Sequence, residues 1–106
     1  MAGQSIEQLR ALCGGPRDGA LLRFALGSHY AAQHRWGEAQ SAFFEAYRLE
    51  PTGADILFNL AVSLDHMKQS RLAADFYRRA VEAAQSQPTQ FDPAPVRRRI
   101  AELAAR

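Results

Sequence analysis

The chain of 106 residues holds a single cysteine, Cys13. One thiol closes no internal disulfide and builds no cysteine metal cluster. Beside Leu12 and Gly14 it reads as a small, buried or half-buried side chain at a helix end, not as a nucleophile with a base beside it. Valine, isoleucine and threonine are scarce, which works against strands. No run of about eighteen apolar residues occurs, so the sequence contains nothing expected to insert in a membrane. The start of the chain lacks a basic region followed by an apolar stretch, and a cytoplasmic location is the expectation. A surplus of one charge is lacking too. Thirteen basic and 11 acidic side chains leave a formal charge of +2, which argues against nucleic acid as the partner despite the basic isoelectric point. There is no Gly-x-Ser-x-Gly, no phosphate loop and no dinucleotide fingerprint, so neither catalysis nor a cofactor is expected.

What is present is an ordinary globular balance, 47% hydrophobic and 23% charged, in a length that fits one domain spanning 1–106. Alanine is abundant and favours helices. Ser5 to Cys13 reads as a short helix, opened by a Ser5/Gln8 capping box with Ile6, Leu9 and Leu12 on one face. Gly14, Gly15, Pro16 and Asp18-Gly19 break it. Four helices follow, at about Gly19–Gln33, Gly37–Glu50, Gly53–Met67 and Arg71–Gln85, each with an apolar stripe at helical spacing. Ser86 to Phe91 reads as a polar loop. Asp92 before Pro93 starts a last helix, running to about Ala105, with an N-cap carboxylate and a proline in the first turn.

Laid against itself, the middle of the chain repeats with a period of 34. Leu26 falls on Leu60, Gly27 on Ala61, Tyr30 on Leu64, Ala39 on Ala73, Phe43 on Tyr77 and Ala46 on Ala80. Small residues meet small ones and large meet large. With Pro51 closing the first unit, this pattern resembles the tetratricopeptide repeat family. The first unit covers 20–53 and the second 54–87, about two thirds of the chain. Two departures stand out. Gln85 replaces the closing proline of the second unit, and Arg23 and Leu57 stand where the family has tryptophan. The resemblance implies an all-α fold, antiparallel helix pairs stacked as a short right-handed solenoid. Helix 5–13 and helix 92–106 would cover its two ends, because two units fall short of the three that such stacks generally need.

The resemblance also implies a function, protein–protein interaction through a concave groove lined by the first helix of each pair. In the first unit the groove positions are Leu21, Phe24, Ala25, Ser28 and Ala32; in the second they are Asp55, Phe58, Asn59, Val62 and His66. Phe24 and Phe58 are equivalent positions that could anchor apolar side chains of a partner, or equally serve the core or lie under the Ser5 or Asp92 helix. Asn59 can bond a partner's backbone amide. Asp55, with Asp65 near the rim, would favour a basic group. Some members of the family clamp a peptide's terminal carboxylate; Phe24 and Ser28 stand where the clamp's lysine and an asparagine would be, which speaks against it here.

The remaining candidates read as structural. His29, His34 and His66 lack metal-ligand spacing, so no metal site is expected. Trp36 is placed in the turn between the helices of the first unit, for packing. Arg97-Arg98-Arg99 fans around a helix and reads first as a solvated face, with Arg97 and Arg98 as an alternative docking patch for an anionic partner or nucleic acid. The reading that results is an adaptor or assembly factor that binds a protein or peptide, and its alanine- and arginine-rich composition fits a bacterial source. Self-association through exposed repeat faces is the rival.

Overall fold

The computed structural model describes residues 5–106, which form six helices and no strand: α1 (Ile6–Leu12), α2 (Ala20–Ala32), α3 (Trp36–Leu49), α4 (Ala54–His66), α5 (Ser70–Ala83) and α6 (Pro93–Ala104). Helices adjacent in the chain pack on one another as antiparallel neighbours. The ends fall within two residues of the sequence reading, with one difference. Trp36 is not in the turn but opens α3.

Local chemistry sets the ends. The Ser5 Oγ accepts from the Gln8 N–H at 3.2 Å and the Gln8 Oε1 accepts from the Ser5 N–H at 2.8 Å, a complete capping box. After α1 the chain turns at Gly14, whose φ of 83° suits only glycine. Asp18 secures this turn. Its carboxylate accepts from the Gly14 N–H at 2.8 Å and from Arg23 at 2.9 and 2.7 Å. Those bonds, Arg23's first, hold the Asp18 carboxyl well below the usual carboxylate range. Asp92 caps α6 through the Ala94 N–H at 3.0 Å, with Pro93 as the first helical residue.

The period of 34 seen in the sequence recurs in the backbone. The α2–α3 turn passes through His34 with φ 57° and the α4–α5 turn through Lys68 with φ 65°. The N–H of Arg35 bonds the carbonyl of Tyr30 and that of Gln69 bonds Leu64, both at 3.0 Å. His34 bonds Ala31 at 2.9 Å and Lys68 bonds Asp65 at 3.0 Å. Each first helix therefore ends in the same left-handed turn, its last carbonyls satisfied by the two residues that follow.

The core lies between the helix pairs. Leu60 is fully buried, and so are Ala39, Ala46, Ala61, Ala73 and Ala80, small side chains that let backbones approach closely. The closest approach is at Gly27, where an added Cβ would stand 2.6 Å from the Phe43 ring. α4 is the central helix, burying Ile56, Leu57, Leu60, Ala61, Ser63 and Leu64 among others. α1 covers one end with Ile6 and Leu9; α6 covers the other with Val96 and Leu103, Ile100 packing beside them.

α6 is also tied down by charge, which the sequence reading missed. Arg99, taken with Arg97 and Arg98 as a solvated run, reaches α4 and grips Asp65 with both forks, at 2.8 and 2.7 Å. The Tyr77 hydroxyl donates to the same carboxylate at 3.0 Å, and Glu102 accepts from Arg99 at 2.9 Å. Asp65 is thus an internal anchor and not the open acidic rim expected of it. Arg97 and Arg98 are exposed.

Candidate functional site

The expected groove positions lie on α2 and α4, and the structure separates them into two groups. Leu21, Phe24 and Asp55 come together around an open cleft of about 380 Å³ at the N-terminal ends of these helices. Glu50, Ile56, Gln87 and Gln90 line it as well. Leu21 is 82% exposed, an unusual position for a leucine. Phe24 is half-buried, its ring 5.6 Å from that of Phe43, so it serves the core with one face and the cleft with the other.

The second group has internal partners. Phe58 stacks on Phe91 with ring centroids 4.5 Å apart and planes 12° from parallel. The Asn59 Nδ2 donates to the Asp55 carbonyl one turn back at 2.8 Å. Val62 packs against the core cluster. Ser28 is exposed and donates to the Phe24 carbonyl at 3.0 Å. His66 is stacked on Trp36, centroids 3.8 Å apart, with His34 near-parallel to the same indole at 5.7 Å. The sequence reading had Trp36 as a packing residue; its partners are the two histidines.

The segment after α5, read from sequence as a plain polar loop, shapes both groups. Gln87 takes the place of a cap on α4, which has no side-chain cap of its own. Its Oε1 accepts from the Ala54 N–H at 3.0 Å and its Nε2 donates to the Thr52 carbonyl at 2.5 Å. The Gln90 N–H donates to Asp55 at 2.9 Å. These bonds lay the segment over the start of α4, bringing Gln87 and Gln90 to the cleft and Phe91 onto Phe58. Sequence reasoning missed Glu50, Gln87 and Gln90 as cleft residues. The signal available for the glutamines was Gln87 at the position equivalent to Gly53, a polar side chain where the first unit meets the next helix.

Electrostatically the cleft is one-sided. It holds the carboxylates of Glu50 and Asp55 and no cation. Among the described residues no group of three His, Cys, Asp or Glu side chains could hold a metal ion, and every buried side-chain nitrogen or oxygen has a hydrogen-bond partner. No helix among them is long and apolar enough to cross a membrane.

The arrangement has a counterpart among solved structures. A Bordetella parapertussis protein, solved in solution as a structural-genomics target, aligns with a TM-score of 0.75 over 98% of this chain and 90% of its own, at 25% identity. No family model matches the sequence, and neither does any curated protein.

Proposed function

We propose that the chain is a tetratricopeptide-like interaction module that receives a protein or peptide partner in the cleft formed by α2 and α4, in the role of an adaptor or assembly factor. The observation that carries this reading is Leu21. A leucine 82% exposed beside a half-buried Phe24 is apolar surface left uncovered on the side that the repeat resemblance assigns to binding. Glu50 and Asp55 give the partner a chemistry, an apolar side chain next to lysine or arginine.

A photo-crosslinking residue placed at Leu21, and separately at Phe44 on α3 outside the cleft, tests the assignment in lysate of the source organism. A protein captured at Leu21, and lost when Glu50→Lys is added, supports the cleft. The same protein captured at Phe44 and not at Leu21 would overturn it. Phe44 also motivates the second reading. It is 39% exposed beside Tyr47, which packs edge-on against Phe76, and Leu72 is 47% exposed one turn before Phe76. That apolar face on α3 and α5 would serve self-association, which a concentration-dependent mass in solution would detect.

A further inference from the structure

Charge is unevenly distributed along this molecule. From Lys68 onward lie eight of the 13 basic side chains but only four of the 11 acidic ones. Some of these cations are used internally. Arg99 holds Asp65 and Glu102, and Arg79 donates to the Tyr47 hydroxyl at 2.8 Å. Others are not. Arg71 and Arg106 pair with no carboxylate among the described residues. With Arg78 they line a cleft of about 370 Å³ between the start of α5 and the end of α6. Its one acidic side chain, Asp75, already pairs with Arg78 at 3.1 Å. Its apolar wall includes Leu103 and Ala74, both otherwise buried.

The first unit supplies an internal comparison. The positions 34 residues before Arg71 and Arg78 are Gly37 and Phe44. The cation nearby, Arg35, is met within its own turn by Glu38 at 2.7 and 2.6 Å. The equivalents of Arg35 and Glu38 in the second unit are Gln69 and Leu72, so that ion pair has no counterpart there. The repeat scaffold therefore does not require a cationic cleft, and the arginines at this one belong to the second unit and the end of α6 alone.

We propose that this cleft docks an acidic segment of a protein partner. Glutamate or aspartate side chains would meet the guanidinium forks of Arg71 and Arg106, and the methylenes of a glutamate would lie on Leu103 and Ala74. The cations converge on one pocket that already contains a carboxylate. A nucleic-acid backbone is instead held by cations spread along a track. The site is separate from the α2–α4 cleft and opposite to it in sign.

The test is fluorescence anisotropy with a short labelled peptide of alternating glutamate and glycine, against its glutamine counterpart and a single-stranded oligonucleotide, at low salt. The wild type is expected to bind the glutamate peptide in preference to both. Arg71→Glu with Arg106→Glu should weaken that binding by about tenfold or more. Arg97→Glu with Arg98→Glu, the same change of charge away from the cleft, should weaken it by about twofold at most. Circular dichroism melts confirm that both double variants fold. Equal losses in the two variants would reduce the effect to net charge and overturn the site. So would tighter binding of the oligonucleotide, or no binding of the glutamate peptide to the wild type.

Discussion

At the level of single residues, the pairing of small with large side chains was readable because it is a local property of each helix face. Gly27 shows what the pairing demands. Alanine is the better helix former by about 0.5–1 kcal/mol, yet a Cβ here would meet the Phe43 ring at 2.6 Å. Phe43 is itself almost wholly buried and has nowhere to move. Overpacking of this kind costs about 1–3 kcal/mol, so Gly27→Ala is expected to lower stability, as read by urea unfolding. The opposite sign is expected at Lys68. Its φ of 65° closes α4 with a side chain that the left-handed region disfavours. Lys68 is exposed and makes no ion pair among the described residues. Lys68→Gly should therefore raise stability by about 0.5–1 kcal/mol on the same measurement. His34, its equivalent, should gain less, because its ring lies against Trp36. The sequence placed both turns but could not give the sign of φ, since neither residue is the glycine that announces it.

At the level of elements, the helices were legible and their tethers were not. Ser5/Gln8 and Asp92-Pro93 act within one turn of the chain, and periodicity or composition exposes such signals directly. Asp65 and Arg99 are 34 residues apart and meet only because α5 brings α6 back beside α4. That pair has a consequence for pH. The hydrogen bonds from Arg99 first, and from Tyr77 after it, hold the Asp65 carboxyl below its ordinary value, while burial and then the Asp65 charge push the Tyr77 hydroxyl up, keeping it a donor. A depressed folded-state value stabilises fully above the unfolded aspartate value of about 3.9 and is lost as pH falls through the folded one. Stability should thus drop in acid below about pH 4, and Asp65→Asn should flatten part of that drop. Asp18, lowered in the same sense by Arg23 at the other end, keeps the rest. At neutral pH Arg99→Ala leaves Asp65, 13% exposed, with two donors fewer and only the Tyr77 hydroxyl, and is expected to cost about 1–3 kcal/mol. Urea midpoints collected across pH for the three proteins read both effects.

At the level of the whole molecule, the candidate site was half legible for a physical reason. Helical spacing tells which residues of one helix share a face, and the repeat resemblance set the faces of α2 and α4 side by side, so Leu21, Phe24 and Asp55 were named from sequence and line one cleft. It does not tell what a later segment lays over that face. Phe91 on Phe58 and Gln90 on Asp55 come from a stretch with no periodicity to read. Those same contacts join the second unit, the segment after it and α6 into one body with α4 at its centre. α4 packs against α3 on one side and α5 on the other, and touches α2 besides. Leu60, 0% exposed, sits at that junction. Truncating such a leucine costs about 2–5 kcal/mol, a large part of the roughly 5–15 kcal/mol that holds a domain folded. If the units were independent, Leu60→Ala would melt part of the helix content and leave the rest. Packed as they are, the chain should instead unfold as one. Melts followed by far-UV circular dichroism and by the fluorescence of Trp36, the single tryptophan, should shift down together in Leu60→Ala and remain superimposable. Two separated transitions would mean that α4 does not couple the repeats.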